Sequence, residues 1–265
     1  MLKLLNYWWR LFAKTLSFTL FGIGGLLLSL LVFPAIRLCV HPRKKSRRVL
    51  RTTVSVSFSL FVQIMTLLGL IRVRIREPER MREARGVIVV ANHPTLIDVV
   101  ILIATLPQAD CIIKSQLEKN PFMRGVVGSI YIPNSLRFQD TVDACADSLA
   151  EGNNLVIFPE GTRSASEAPP SFKRGSAQLA LRVGCDMLPV VITVNDPCGL
   201  RKGDAFFSLS REGPMVFEIE PLERISMEAY RGQEPSRGAR ILTKELQARI
   251  VAHNQKVPKE SEKGP

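Results

Sequence analysis

The apolar positions near the start of the chain are gathered into two long uncharged runs. The first is Thr15–Ile36, 22 residues bounded by Lys14 and Arg37, and the second is Thr52–Ile71, 20 residues. Either run is long enough to cross a hydrocarbon layer of about 30 Å as a helix. A cleaved signal peptide fits poorly, because the first run is too long for the apolar part of one and lacks a small-residue cleavage site.

The two runs differ in composition. The first contains FGIGGLLLSLLVF, which is almost wholly apolar and whose glycines would let another helix approach closely. The second carries seven Ser, Thr and Gln residues, which is typical of an interfacial, re-entrant or protein-buried helix. The first run is therefore the better candidate for a membrane span.

Basic residues flank the second run on both sides. HPRKKSRRVLR lies between the two runs and ends at Arg51, directly before the second, and six arginines follow it between Arg72 and Arg85. Two true spans would place these blocks on opposite faces of the membrane, which the positive-inside rule disfavours. We therefore expect one span, or a hairpin that dips into one leaflet, with everything after Arg37 on the cytoplasmic side of the inner membrane.

The net charge of +12 has two ordinary explanations, nucleic acid and an anionic membrane surface. Beside apolar runs of this length the membrane is favoured, since each basic residue next to an inserted helix gains about 1 kcal/mol from acidic lipid. No zinc-finger spacing or basic strip with interleaved aromatic residues supports nucleic acid. The five scattered cysteines contain no CxxC pair, which predicts reduced thiols that fill apolar space.

From Ile71 onward, short apolar strands alternate with helix-like segments. The predicted strands are the edge-like IRVRI from Ile71, Gly86–Ala91, Cys111–Lys114, Ser129–Ile132, Leu155–Phe158, Leu188–Val194 and Met215–Glu220. The predicted helices are Thr95–Thr105, Asp140–Ala150, Phe172–Val183 and an amphipathic helix around 241–250. This alternation predicts an α/β fold, with a mixed, largely parallel sheet flanked by helices and an N-terminal apolar helical membrane anchor.

The same patterns divide the chain into three segments. Residues 1–71 hold the two apolar helices and form the anchor, and residues 72–255 hold the α/β pattern. The charged, proline-containing segment 256–265 is predicted to be a disordered tail.

The heptapeptide NHPTLID, residues 92–98, follows the buried-strand pattern GVIVVA and contains one of the chain's three histidines. Pro94 suits the first position of a helix and forces the residue before it out of helical geometry. His93 is then in the strand-to-helix turn, where its imidazole can meet the Asp98 carboxylate. Such a carboxylate fixes the ring tautomer, which is the arrangement of a catalytic dyad. A helix-capping His93 beside a solvated Asp98 remains an open alternative.

A second unusual stretch, LVIFPEGTRS at 155–164, also lies at the carboxyl end of a predicted strand, where open α/β sheets bind ligands. A turn that contains Gly161, a hydroxyl and the Arg163 guanidinium can present backbone N–H groups and a charged fork to a phosphate or carboxylate. An ordinary β-turn with a surface arginine is the alternative. A shared site requires both stretches to meet at one cavity.

Together the two stretches resemble the lysophosphatidic-acid acyltransferase family, the 1-acylglycerol-3-phosphate acyltransferases and their glycerolipid relatives. NHPTLID matches the family's NHxxxxD block and FPEGTRS matches its FPEGTRS block, in the family's order and at similar spacing. The resemblance covers about 87–194, because KSQLEKNPFMRGVVGSIYI and LPVVI are also similar to family segments. A pair of apolar N-terminal helices is likewise familiar there.

The resemblance implies transfer of a fatty acyl group from a thioester of coenzyme A or acyl carrier protein to a hydroxyl of lysophosphatidic acid or a related lyso-lipid. By matching position, His93 is implied as the general base and Asp98 as the residue that orients it. The implied contacts to the acceptor's polar head are Glu160, Gly161, Thr162 and Arg163. No cofactor, metal or acyl-enzyme is implied; the thioester is a co-substrate.

The chain departs from the family at one position. The family's second block commonly ends in an Ile-Asp-Arg-like triplet whose arginine helps to bind glycerol phosphate, whereas this chain has Ile132, Pro133 and Asn134. A neutral asparagine in place of the charged fork weakens phosphate binding by roughly 1 to 3 kcal/mol. Arg137, three residues later, is a candidate substitute for that arginine. Otherwise the acceptor is not a glycerol phosphate, and the candidate acceptors are a lyso-lipid, an amino-acid lipid or a polyketide-type acyl chain.

Two other functions remain as alternatives to acyl transfer. A catalytically silent scaffold would keep the fold and use its basic face to bind anionic lipid or a partner protein. A thioester hydrolase would use water where the family uses an alcohol. The retained His93 and Asp98 argue against the scaffold, and the products distinguish the hydrolase.

Overall fold

The structure is a computed structural model that describes residues 2–113, 131–133, 138–164, 170–210 and 213–256. Its helices are α1 (Leu2–Leu27), α2 (Phe33–Cys39), α3 (Arg43–Leu67), α4 (Pro78–Arg82), α5 (Asp98–Thr105), α6 (Phe138–Ala150), α7 (Gly175–Val183) and α8 (Pro235–Lys256). Its strands are β1 (Ile71–Ile75), β2 (Ile88–Ala91), β3 (Ala109–Ile113), β4 (Tyr131–Pro133), β5 (Asn154–Ile157), β6 (Met187–Val194) and β7 (Met215–Pro221). Asn134 and Arg137 lie outside the described residues, as does the predicted tail 256–265 except for Lys256, which is the last residue of α8.

The N-terminal helices are the candidates for a membrane anchor. A π-helical turn at Leu28–Val32 joins α1 to α2 without a break, and Leu4–Cys39 is long and apolar enough to cross a membrane. Helix α3 passes the same test of length and composition. Both runs predicted from the sequence are therefore helical.

Aromatic contacts join α1 to α3. The rings of Phe18 and Phe61 meet edge-on at 6.0 Å between centroids, and those of Phe21 and Phe58 lie 5.8 Å apart. Since the later residue of α1 faces the earlier residue of α3, the two helices run antiparallel. The buried residues of α3 recur every three or four positions, as expected for one buried helical stripe; they are Ser46, Leu50, Arg51, Val54, Phe58, Phe61 and Met65.

The glycines of the first run do not all serve close helix packing. A Cβ built on Gly24 meets no atom within 4 Å, so the expectation of a close helix approach is wrong at this position. The bulky Phe21, Phe58 and Phe61 rings hold α1 and α3 apart here. Gly24 instead leaves open space between the helices.

The chain forms two compact units. Unit 1 comprises 1–70, 79–87 and 99–156, and unit 2 comprises 71–78, 88–98 and 157–265. In unit 1 the strand order is β5-β3-β4, and both pairs are parallel. The division into an anchor at 1–71 and a catalytic domain at 72–255 stays a prediction.

A buried ion pair fixes α3 within unit 1. Arg51 Nε and Nη2 donate to the two carboxylate oxygens of Asp110 at 2.6 and 2.9 Å, and Ser148 Oγ donates to the same carboxylate. The two charged side chains are only 6% and 3% exposed. Such a bidentate pair holds the first half of α3 against the start of β3 in a fixed register.

Unit 2 contains the strands that lead to the site. Their order is β1-β7-β6-β2, with β1 parallel to β7, β6 antiparallel to β7, and β2 parallel to β6. All four residues of β2 are buried, whereas β7 alternates between buried and half-buried positions. The predicted α/β class with a mixed, mostly parallel sheet is therefore confirmed, as is the edge position of IRVRI.

The starts of the four predicted helices differ from the predictions: α5 begins at Asp98 rather than Thr95, and α6 begins at Phe138 rather than Asp140. Helix α7 begins at Gly175 rather than Phe172, and the Lys173 backbone N–H just before it is bonded to Pro159 O at 2.9 Å. Helix α8 begins at Pro235, earlier than predicted, because the Glu234 side chain caps the next two backbone N–H groups at 2.9 and 2.7 Å. Of the five cysteines, Cys111 and Cys145 are buried as predicted, whereas Cys39 is exposed.

Candidate active site

The site begins where the fully buried strand β2 ends. Asn92, 4% exposed, continues the pairing to β6 through its side chain: its Nδ2 donates to Ile192 O, and its Oδ1 accepts from Ile192 N, both at 2.8 Å. The amide thus replaces a backbone pair of the sheet ladder. These two hydrogen bonds fix the point at which the chain leaves the sheet, and His93 follows directly after it.

The His93 imidazole lies against the Asp98 carboxylate, as the sequence predicted. Nδ1 is 2.8 Å from Asp98 Oδ2, and the His93 side chain is 18% exposed while that of Asp98 is 0% exposed. Because an ionised carboxylate only accepts, Nδ1 carries the hydrogen and Nε2 keeps its lone pair. The arrangement can accept a proton from a bound hydroxyl group at Nε2.

The route to this contact differs from the one predicted. Pro94 does not begin the helix; α5 begins at Asp98, four residues later. Asp98 Oδ2 also accepts from Thr95 N at 2.6 Å, Oδ1 accepts from Thr95 Oγ1, and Thr95 Oγ1 accepts from Ile97 N. These bonds form a capping box, in which an acidic side chain reaches back three residues. The cap makes 95–97 a turn and places the carboxylate under the imidazole.

The Asp98 carboxyl lies in an enclosed position. Burial raises its pKa above the usual range, and the hydrogen bonds from His93 and Thr95 oppose that shift. The alternative of a solvated Asp98 is therefore wrong. Three hydrogen bonds, from the His93 ring, the Thr95 N–H and the Thr95 hydroxyl, hold the carboxylate in one position.

The second stretch meets the first at His93. The Phe158 ring, directly after β5, stacks on the imidazole with centroids 4.1 Å apart and an angle of 22° between the planes. Glu160 Oε1 accepts from His93 N and from Ser164 Oγ, each at 3.0 Å, and Ser164 N donates to His93 O at 2.7 Å. The expectation that both stretches meet at one place is confirmed. Both the backbone N–H and the backbone C=O of His93 are therefore hydrogen-bonded to this second stretch.

The predicted head-group contacts take different positions in the turn. Gly161 has φ +67°, a left-handed conformation that favours glycine, and Thr162 is exposed. Arg163 Nη1 donates to Leu200 O and Arg201 O at 3.1 and 2.9 Å, so part of the guanidinium is engaged by the protein itself. Substrate contacts by these residues and by Glu160 stay predictions.

Sequence reasoning missed a cation beside this turn. A Cβ built on Gly161 would lie 3.0 Å from Lys173 Nζ, so the exposed lysine chain runs directly over the glycine. The signal in the sequence is weak, because Lys173 lies nine residues beyond the end of the stretch 155–164. Phe158, Asn92, Thr95 and Ser164 were also missed as site residues, although each lies inside one of the two quoted stretches.

No group of three or more His, Cys, Asp or Glu side chains that could hold a metal ion occurs in the described part of the chain. The prediction that the reaction needs neither metal nor cofactor stays a prediction.

Comparisons with known proteins find the same family that the two stretches resemble. A family model described as "Acyltransferase" matches residues 72–193. A human 1-acyl-sn-glycerol-3-phosphate acyltransferase beta is 29% identical over 132 residues, 46% of this chain and 46% of the relative. A Borreliella burgdorferi 1-acyl-sn-glycerol-3-phosphate acyltransferase is 31% identical over 137 residues, 49% of this chain and 55% of the relative. The chain thus matches about half the length of these relatives.

A solved structure extends the likeness to the whole fold. The crystal structure of the 1-acyl-sn-glycerophosphate acyltransferase from Thermotoga maritima superimposes with a TM-score of 0.69, covering 97% of this chain and 98% of that one at 21% identity. At this identity the likeness supports the fold alone. Over residues 72–193 the chain is similar to the acyltransferase family model, and over about half of its length it is similar to 1-acyl-sn-glycerol-3-phosphate acyltransferases.

Proposed function

We propose that the protein transfers a fatty acyl group from a thioester of coenzyme A or acyl carrier protein to a hydroxyl of lysophosphatidic acid or a related lyso-lipid. The observation that carries this proposal is the 2.8 Å contact between His93 Nδ1 and Asp98 Oδ2, which leaves Nε2 as a proton acceptor. The names of the relatives indicate the same substrate class.

In the proposed reaction His93 acts as general base and Asp98 orients it. Nε2 takes the proton from the acceptor hydroxyl as its oxygen attacks the thioester carbonyl carbon. The carbon–sulfur bond then breaks, and the imidazolium returns its proton to the departing sulfur, so that a thiol and an ester are formed. Asp98 stabilises the positive ring while the proton resides there. Burial of Asp98 strengthens that attraction, because screening by water is reduced.

The polar head of the acceptor is proposed to bind at the turn 160–164. Arg163 is partly committed to the carbonyls of 200 and 201, whereas Lys173 Nζ lies over Gly161. We assign to Lys173 a share of the charge that the family's second-block arginine would supply, since this chain has Asn134 at that position. An ammonium beside a glycine turn suits a phosphate or another anionic group.

The N-terminal helices are proposed to anchor the protein in the cytoplasmic membrane, with the site on its cytoplasmic side. Support comes from α1–α2 and α3, which pass the length and composition test, and from the basic residues that follow Arg37. Anionic lipid at that surface is the proposed partner of these basic residues.

A thiol-release assay on the purified full chain tests the proposed activity. Acyl-coenzyme A and acyl-carrier-protein donors are paired with phosphorylated and unphosphorylated lyso-lipids, and products are separated by mass. We expect an ester product with the wild type and at least a hundredfold slower release with His93→Gln, with an unchanged melting temperature. His253→Gln, a second partly exposed histidine that lies on α8, is the matched control and should keep full activity.

Other products would refute acyl transfer. Free fatty acid without acylated lipid indicates a hydrolase, and lipid binding without thiol release from any donor indicates a silent scaffold. The variant Asn134→Arg tests which acceptor the protein uses. If it acylates glycerol-phosphate acceptors faster than the wild type does, we infer that the natural acceptor has a different head group. An unchanged rate contradicts that inference.

A further inference from the structure

Exposed apolar side chains of unit 2 are grouped beside the candidate active site. Among the residues of this unit that the structure describes, four large apolar side chains are exposed: Leu96, Phe206, Phe207 and Ile241. Leu96 lies three residues after His93, and the two phenylalanines lie on the loop that follows β6. Single exposed apolar residues need no explanation, whereas a group of them at one place indicates a contact surface.

The loop 195–210 is hydrogen-bonded to both stretches of the site. Leu96 N donates to Leu200 O at 3.0 Å, so the loop lies against the turn that follows His93. The guanidinium of Arg163 donates to the carbonyls of Leu200 and Arg201 at 3.1 and 2.9 Å. The first half of the loop is therefore held in a fixed place beside the site.

The second half of the loop extends into solvent and carries the aromatic pair. Every residue from Lys202 to Phe207 is exposed, and Phe206 and Phe207 are 41% and 62% exposed. The two rings meet edge-on with their centroids 5.4 Å apart, so they form one apolar patch. Gly199 N donates to Asp204 Oδ2 at 2.6 Å, which closes the turn that precedes the rings.

The area of the aromatic pair decides between two kinds of partner. A phenylalanine side chain has a surface of roughly 200 Å², so the exposed fractions of the two rings amount to about 200 Å² together. A stable protein interface buries about 800 Å² on each partner. A lipid surface needs no such area here, because the N-terminal helices, which are long and apolar enough to cross a membrane, are proposed to hold the chain there already.

The charges next to the rings fit a lipid surface as well. Lys202 is exposed and Arg201 is half-buried, and the one acidic residue between 199 and 207, Asp204, accepts the Gly199 N–H. Basic side chains beside exposed rings are typical of segments that lie in the interfacial layer of an anionic membrane. In that layer the rings contact the acyl chains while an ammonium group reaches the lipid phosphates.

We propose that Phe206 and Phe207 insert into the interfacial layer of the membrane, with Leu96 at the margin of the contact. The loop then holds the turn that contains His93 at the lipid surface, so that an acceptor lipid can present its hydroxyl without leaving the bilayer. Only this consequence rests on the proposed acyl transfer, and the membrane contact itself does not.

The fluorescence of a single tryptophan on the loop tests the contact in the full chain. Trp8→Phe and Trp9→Phe together remove both native tryptophans, and Phe207→Trp supplies the probe. The protein is reconstituted in nanodiscs of phosphatidylcholine and phosphatidylglycerol, with and without bromine on the acyl chains. We expect brominated lipid to lower the emission at least twofold and aqueous iodide to have little effect, because insertion by roughly 5 to 10 Å brings the indole to the acyl chains.

Ile241→Trp in the same background is the matched control, since Ile241 is 40% exposed and lies on α8, outside the loop. Its emission should be quenched by iodide and not by brominated lipid. Emission from Phe207→Trp that brominated lipid leaves unchanged would overturn the proposal, as would equal quenching by brominated lipid at both positions. Loss of iodide quenching at Phe207→Trp without quenching by brominated lipid would mean that a second protein chain covers the loop, which also overturns it.

The consequence for acyl transfer is measured on Phe207→Ser. We expect an unchanged melting temperature, because this side chain is 62% exposed. The KM for a long-chain lyso-lipid in the bilayer should rise about fivefold, since less apolar surface leaves water, while the KM for a short-chain soluble acceptor stays unchanged. Ile241→Ser should change neither constant. An equal change for both acceptors would refute the orienting role of the loop. If the wild type transfers no acyl group to any acceptor, the proposed function fails, and the quenching result still decides the membrane contact.

Discussion

Replacing Asp98 with asparagine separates the charge of the dyad from its geometry. The carboxylate accepts from His93 Nδ1 and Thr95 N on one oxygen and from Thr95 Oγ1 on the other. An asparagine in the same rotamer can keep its oxygen at the first position and place its amide nitrogen next to the Thr95 hydroxyl, which also accepts. All three contacts then survive, and only the negative charge is lost.

The structure sets opposite signs for the effects on stability and on catalysis. Burial raises the pKa of Asp98, so the folded protein holds the proton more tightly than the unfolded chain does. The free energy of unfolding therefore falls as pH rises from about 4, the ordinary carboxyl pKa, to the raised pKa of Asp98. Above the raised pKa it stays at the lower value, because the carboxyl is ionised in both the folded and the unfolded state. Asp98→Asn removes the cost, so at pH 7 its free energy of unfolding should equal or exceed that of the wild type. The wild type alone should lose stability as pH rises through that window.

Asp98→Ala provides the contrast. It removes every acceptor, and the Thr95 N–H, at a residue that is 0% exposed, is left without a partner. One or two buried unsatisfied donors cost about 1 to 3 kcal/mol each, so Asp98→Ala should lower the free energy of unfolding by roughly 2 to 5 kcal/mol.

Catalysis should respond to the charge. The imidazolium formed in the reaction loses a charge-assisted hydrogen bond in Asp98→Asn, about 1 to 3 kcal/mol, which is roughly five- to a hundredfold in kcat. Urea unfolding at several pH values and thiol release on the same preparations measure both effects. If Asp98→Asn keeps the wild-type kcat, or is as unstable as Asp98→Ala, the separation of charge from geometry is wrong.

Two further predictions concern residues outside the dyad. Arg51→Met should lower the free energy of unfolding by about 3 to 5 kcal/mol, because it leaves the Asp110 carboxylate, which is 3% exposed, without its cationic partner. In urea unfolding, the double variant with Arg51→Met and Asp110→Leu should be about as stable as the wild type, and a double variant as unstable as the single one contradicts this. Lys173→Gln should raise KM for a phosphorylated lyso-lipid about five- to tenfold with little change in kcat or in KM for an uncharged acceptor. Arg174→Gln, also exposed, should leave every constant unchanged, and an equal rise there would refute the assignment.

The strands and the dyad contact were predictable because their signals are local. IVVA and LVI read as buried strands from composition alone, and a histidine five residues before an aspartate can meet it when a turn intervenes. The origin of that turn was assigned wrongly, to Pro94. A Thr-x-x-Asp capping box supplies it, and this pattern was present in the sequence at Thr95 and Asp98.

Other contacts could not be predicted from local patterns. Asn92 pairs with Ile192 across 100 residues, and Glu160 binds the His93 backbone across 67. Their partners are determined by which strands become neighbours, and periodicity does not give strand order. Lys173 was missed for the same reason, since its position over Gly161 follows from the bond between its backbone N–H and Pro159 O.

The charges of the site divide between two tasks. Both acidic side chains near His93 act on the histidine itself: Asp98 holds the imidazole and Glu160 holds the backbone N–H. Phe158 stacks on the face of the imidazole, Asp98 contacts its edge and Glu160 binds the backbone of His93. The ring is therefore held in place, and little reorganisation is needed when a hydroxyl binds. The basic side chains, Arg163 and Lys173, lie on the neighbouring turn instead. In the proposed function, a negative head group is attracted to that turn and not to the dyad, which leaves Nε2 for the hydroxyl.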